Sequence, residues 1–113
     1  LAAAVHGPKV LVATVYFASG QWTLDATQRA YLDRVAHRLR ANGFRGVHLA
    51  GYTDSIGSPA YNLHLSHQRT ETVAGILFRQ TGLTSSQAWY GEKDPVVDAA
   101  AAARNRRVEI LVS

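Results

Sequence analysis

The chain is expected to fold as an α/β (α+β) two-layer sandwich, in the order βαβαββ, with a mixed sheet and its helices packed on one face. Three observations predict this. Short apolar runs rich in Val, Leu and aromatics recur near residues 9–17, 46–52 and 107–112. Two longer stretches between them repeat apolar residues at helical spacing. Glycine, asparagine and proline punctuate the boundaries.

Taken in order, Lys9 to Phe17 reads as a strand, with Leu11, Ala13, Val15 and Phe17 on one face. It is nearly apolar on both faces. That fits a central strand covered on both sides, or a strand covered by helices on one side and by an unseen partner on the other. Ala18-Ser19-Gly20-Gln21 is a turn. Leu24 to Ala41 carries a helical stripe at 24, 31, 32, 35, 36 and 39, with Thr23 or Asp25 placed to cap it and Asn42-Gly43 to stop it. Gly46 to Tyr52 is the second strand, with Val47, Leu49 and Gly51 on one face. The second helix runs from about Pro59 to Gln80. Ser58 can accept a bond from a free first-turn N–H, Pro59 at the first helical position gives up no intrahelical bond, and Gly82 ends the helix. Ser86 to Tyr90 is a short third strand, Gly91 to Pro95 a turn, and Ala99 to Ala103 a helical turn or irregular loop. Arg107 to Val112 alternates, with Val108, Ile110 and Val112 on one side. The two crossovers predict right-handed connections.

At 113 residues the chain has the size of one domain. Residues 1–8 read as a linker or terminal stretch and 9–113 as the domain. Leu1-Ala2-Ala3-Ala4-Val5 is apolar but lacks a basic start and stops at His6-Gly7-Pro8, as the end of a linker from a larger protein would. No apolar run approaches a membrane span. Cysteine is absent, which excludes disulfides and thiolate metal sites and leaves the compartment open. The net charge of +4 could face nucleic acid, an anionic membrane or an acidic polymer. The arginines form no basic run and do not interleave with the aromatics, which argues against nucleic acid.

The stretch from Gly51 to Arg69 holds the functional interest. It leaves a strand, crosses a tight polar loop containing Asp54, and enters the second helix. Leu65, Arg69, Val73 and Ile76 share one helical stripe, so Arg69 points toward the body of the domain. An inward guanidinium keeps its proton and needs an anion, supplied by the protein or by a ligand. An internal Asp54–Arg69 salt bridge and a ligand site are both open on these grounds.

Gly51-Tyr52-Thr53-Asp54, Gly57, Asn62, Leu65-Ser66, Arg69, Gly91-Glu92 to Pro95, and Asn105-Arg106-Arg107-Val108 stand in the order found in one family. The chain resembles the OmpA C-terminal (OmpA-like) peptidoglycan-binding domain, shared by porin-like outer-membrane proteins, wall-linked lipoproteins and flagellar motor stators. The resemblance spans roughly residues 10 to 112. It implies a noncovalent cell-wall anchor without enzymatic activity or cofactor, facing the wall from a bacterial envelope protein and not itself inserted in a membrane. It implies that Asp54 takes the ammonium, and Arg69 the carboxylate, of the diaminopimelate in the peptidoglycan stem peptide. Thr53 and Asn62 are further ligand candidates, with shaping of the loop and first turn as the alternative. Arg106 matches a third contributor, while Asn105 is expected to fix the turn before the last strand. The family often has an Asp or Asn soon after the first strand, where this chain offers Ser19.

Other chemistries fare worse. His64 and His67 are at an allowed metal spacing but lack a recognisable third ligand. Ser66 has no strained elbow or oxyanion hole to make it a nucleophile. Glu71, Glu92 and Glu109 have no evident carboxylate partner for acid–base work. Trp22 and Trp89 read as partial core or rim, although an exposed indole could stack on a sugar. The rival to a wall anchor is a protein-interaction domain of the envelope in which Asp54 and Arg69 pair internally.

Overall fold

The computed structural model describes residues 8–44, 46–97 and 102–113. Its elements are β1 (Val10–Tyr16), α1 (Ala26–Asn42), β2 (Val47–Gly51), α2 (Pro59–Thr81), β3 (Ser85–Trp89), a 3-10 turn (Ala103–Asn105) and β4 (Arg107–Val112). This is the expected βαβαββ order, with strand ends shifted by at most one residue. The proposed linker falls almost wholly outside the described residues. So does most of the expected turn at Ala99 to Ala103, whose last residue opens the 3-10 turn.

The sheet is mixed, with strand order β1-β4-β2-β3. Strand β4 lies antiparallel to both β1 and β2, and β3 pairs parallel with β2. β1 is therefore an edge strand, not a central one. The final strand returns into the gap between β1 and β2, which displaces β1 to the border. The expected inward face of β1 is also broken at its start. Leu11 pairs with Leu111 but Ala13 pairs with Ile110, so Val12 is an extra residue in the ladder. A bulge reverses the side-chain alternation on one side of it. Ala13, Val15 and Phe17 go into the core, while Val10, Leu11 and Val12 stay exposed.

The helices begin and end where side-chain chemistry dictates. In α1 the Asp25 carboxylate, not Thr23, accepts from the Gln28 N–H at 2.8 Å, and Gly43 takes the left-handed conformation that ends the helix. In α2 the Ser58 hydroxyl accepts from the Tyr61 N–H, and Gly82 closes the other end with a bond to the Phe78 carbonyl. One core joins Leu32, Val35, Ala36 and Leu39 of α1, Val73, Ile76 and Leu77 of α2, and the inward residues of β1, β2 and β4. Each of the larger side chains among them, fully buried, contributes roughly 1.5–3 kcal/mol. β1, β2 and β3 run parallel, and their carboxyl ends share one border of the sheet with the start of β4. The loops leaving that border carry the residues of interest.

Candidate functional site

Arg69 is placed by α2 and is fully buried. Its guanidinium does not meet Asp54. Nε donates to the carbonyl oxygen of Gln21 at 2.8 Å, Nη1 to that of Tyr52 at 3.1 Å and Nη2 to that of Ala18 at 3.2 Å. The fork thus ties the turn after β1 to the end of β2, where main-chain carbonyls have left their ladders and need donors. The Phe17 ring lies under the guanidinium, 5.2 Å from its carbon. Among the described residues no carboxylate is within ion-pair distance of Arg69, and three hydrogen bonds leave part of its five-donor fork unused.

Asp54 is also buried, at 6% exposure. Its Oδ1 accepts from the Ile56 N–H at 3.2 Å, a local turn that fixes the carboxylate. Its Oδ2 faces Nη1 of Arg106 at 3.4 Å. The internal Asp54–Arg69 salt bridge, left open by the sequence as the alternative to a ligand site, is therefore not formed. The arginine is held by carbonyls, and the aspartate takes its ion-pair contact from the turn before β4. The two charges still influence each other. Burial, first of all, pushes the Arg69 pKa down to about 10; Asp54 opposes that fall and Arg106 adds to it. At neutral pH the group remains a cation whose lost hydration is only partly replaced.

The other candidates gather around this pair. Arg106 donates through Nε to the Phe17 carbonyl at 2.8 Å, so it also joins the end of β1 to the aspartate loop. Thr53 is buried; its N–H donates to the Gly91 carbonyl and its hydroxyl to the Asp54 carbonyl, each at 2.7 Å. Asn62, in the first turns of α2, is buried and donates from Nδ2 to Glu92 Oε1 at 3.1 Å. Ser66 accepts from the Gly91 N–H at 3.0 Å. The Gly91-Glu92 turn is therefore clamped to α2 and to Thr53. Asn105 does fix a turn, accepting from the N–H groups of Val96 and Val97 and donating to the Val97 carbonyl.

Two features had no individual sequence signal. The Arg69 cradle is made of carbonyl oxygens of Ala18 and Gln21, where sequence reasoning looked for a polar side chain at Ser19. A stack on the other side of the sheet places the Arg107 guanidinium 3.8 Å over the Tyr52 ring, which in turn stacks on Tyr90 at 5.3 Å. Glu92 could have been found from its place in the Gly-Glu-x-x-Pro segment. His67 stacks on Trp89 at 3.9 Å and lies 3.6 Å from Glu71, so its surroundings are those of a surface contact. Trp22 and Trp89 are partly exposed rim residues.

A model of the OmpA family matches residues 16–109. Outer membrane protein P5 of Haemophilus influenzae is 37% identical to the chain over 114 aligned positions, covering 88% of the chain and 32% of its own length. The crystal structure of the peptidoglycan-associated lipoprotein from Burkholderia pseudomallei superposes with a TM-score of 0.78 at 28% identity, covering 90% of this chain and 91% of that one. The cell wall anchor of the T6SS from Pseudomonas aeruginosa superposes with a TM-score of 0.67 at 32% identity, covering 88% of this chain and 78% of that one. The chain spans about a third of the length of P5, and the matched region contains Asp54, Asn62, Arg69 and Arg106. It belongs to the OmpA family, whose members of this kind are non-enzymatic peptidoglycan-binding domains of bacterial envelope proteins.

Proposed function

We propose that this domain anchors a larger envelope protein to the cell wall by noncovalent binding of the diaminopimelate in the peptidoglycan stem peptide. The observation that carries the reading is Arg69. It is a fully buried cation with no carboxylate within ion-pair distance among the described residues and with donors to spare. Carbonyl oxygens occupy part of its fork, and a buried cation with no carboxylate beside it suits an incoming anion. The free end of diaminopimelate is a zwitterion. Its carboxylate suits the planar guanidinium fork, and its ammonium suits the fixed Asp54 carboxylate. Charge-assisted bonds of this sort contribute roughly 1.5–3 kcal/mol each. Arg106 holds Asp54 in place, and Thr53 and the Asn62–Glu92 pair shape the walls. No bond is made or broken.

The test is sedimentation with insoluble diaminopimelate-type peptidoglycan. Wild type should pellet with the wall, and Asp54→Asn and Arg69→Lys should each bind roughly tenfold more weakly or worse. Circular dichroism verifies folding, since Arg69 also closes the ends of β1 and β2. Wall whose diaminopimelate is amidated lacks the carboxylate and should bind weakly to wild type as well. Equal pelleting of all three proteins would remove the pair from the site, and failure of wild type to pellet would remove the wall as partner.

A further inference from the structure

Strand β1 pairs with β4 on one side, and among the described residues no strand lies on the other. The Phe17 N–H donates inward to the Arg106 carbonyl at 2.9 Å, while the Tyr16 N–H turns outward to the Gln28 side chain at 2.9 Å. Main-chain groups of an antiparallel strand alternate in this way, so the Thr14 N–H and carbonyl share the outward side with Tyr16. Beside this open edge, α1 overhangs a cleft of about 280 Å³ lined by Val12, Val35, Arg38, Leu39, Asn42 and Phe44. Its floor is apolar, with Val35 and Leu39 buried, and the bulge at Val12 brings an exposed valine to its rim. Arg38 stands at the cleft. Arg34, one turn nearer the amino end of α1, has its guanidinium carbon 5.8 Å from the centre of the Tyr31 ring. Both arginines are exposed, and among the described residues neither meets a carboxylate. Asp33 is held on the α2 side of the helix by Arg29 at 3.3 Å and Gln80 at 2.8 Å. Glu109, across the ladder from Thr14, is taken by Arg107 at 2.9 Å. The edge therefore combines unpaired main chain, an apolar cleft and unmatched positive charge.

We infer that this edge docks an extended acidic segment of another protein. The segment adds to the sheet as a further strand beside β1, sets an apolar side chain in the cleft and places carboxylates against Arg34 and Arg38. Outward ladder groups select an extended chain, because only main chain supplies their donors and acceptors in register. A lipid surface would meet the arginines and the cleft but leave the Thr14 N–H and carbonyl unpaired. The arginines select acid, since opposite charges across an interface fix register and exclude wrong partners. A second copy of this chain fits less well. Antiparallel pairing of two β1 edges puts both α1 helices on one face, so Arg34 and Arg38 of one copy approach those of the other. Like charges oppose that arrangement and leave it to weak association at high concentration. The cleft lies by the middle of β1 and the carboxyl end of α1, whereas Asp54 and Arg69 lie beyond the carboxyl end of β1. The inference is therefore independent of the wall-binding reading, and both partners can be held at once.

The test is an NMR titration of the isotope-labelled domain with a blocked peptide about as long as β1. The probe carries glutamates and a central leucine at alternate positions, with threonines between them, and a second probe replaces the glutamates by lysines. Wild type should bind the acidic probe roughly tenfold more tightly than the basic one, the factor that two surface ion pairs supply. The Thr14 amide should gain protection from hydrogen exchange in the complex. Arg34→Glu combined with Arg38→Glu, at exposed positions that leave the fold intact, should invert the preference. Thr14→Pro removes the outward donor without touching the ladder to β4 and should abolish binding of both probes. Circular dichroism checks its fold, and the charge-reversed variant decides alone if Thr14→Pro does not fold. Equal binding of the two probes, an unchanged preference after charge reversal, or full binding by folded Thr14→Pro would overturn the inference. So would failure of wild type to bind either probe at millimolar concentration. In that event a dimer lost in Thr14→Pro would assign the edge to a second copy, and binding to anionic vesicles would assign the arginines to a lipid surface. Wall sedimentation is scored separately and should be the same in all these variants.

Discussion

Arg69 illustrates how far a residue can be read before its surroundings are known. Its inward direction followed from the stripe of Leu65, Val73 and Ile76, and the structure buries it fully. Its partners did not follow, because main-chain carbonyls carry no residue identity and any three could have converged there. Tyr52 shows the same division. Its place at the end of β2 was legible, but not the Arg107 and Tyr90 rings and charges around it. Burial, and next the Glu109 carboxylate, raise the Tyr52 phenol above its ordinary value of 10, against the pull of Arg107. A phenol whose folded pKa lies above its unfolded one contributes stability that is complete below pH 10 and is lost as pH rises through the folded value. Urea unfolding should therefore show wild type losing stability faster than Tyr52→Phe above pH 10, with the two running parallel below it. Parallel curves throughout would mean that Tyr52 titrates alike in both states.

At the scale of elements, the site depends on how closely α2 approaches β2. Gly51 sits where a Cβ would come within 2.5 Å of the Ser66 carbonyl oxygen and 2.6 Å of the Thr70 methyl. The obstacle is partly backbone, so a side chain there must push the helix outward. Gly51→Ala is expected to cost about 1–3 kcal/mol in chemical denaturation, in the range of core overpacking. It should also weaken wall binding, because Asp54 follows β2 while Arg69 rides on α2. Full binding in a destabilised Gly51→Ala would show that the pocket tolerates the shift. The caps of α2 at Ser58 and Gly82 were legible, since capping is local chemistry. The close approach was not. Gly51 was assigned to the correct face, but nothing local says which helix comes to meet it.

At the scale of the whole molecule, the border strand β1 is a weakness among the described residues. β1 borders the sheet, and Val10, Leu11 and Val12 are 57%, 53% and 41% exposed along it. An uncharged apolar strand at a free edge is a template for pairing with another chain. Near its end the edge is capped, where the Tyr16 N–H donates to the Gln28 side chain. Leu11→Lys should therefore reduce self-association at high concentration, measured by light scattering, and change stability by no more than about 0.5 kcal/mol, as is usual for an exposed position. Unchanged association would clear the edge of responsibility.

The sequence by itself determined the number, type and order of the elements, the helix ends, the inward direction of Arg69 and the family, because periodicity, capping and ordered motifs are properties of neighbours along the chain. Tertiary structure alone decided that β1 is an edge strand with a bulge at Val12, that Asp54 faces Arg106, and that Arg69 is cradled by carbonyls. Each of these depends on where the last strand inserts and how loops distant in sequence meet at one border of the sheet. Such contacts form only when the layers pack, and the local rules that specify a helix or a strand do not contain them.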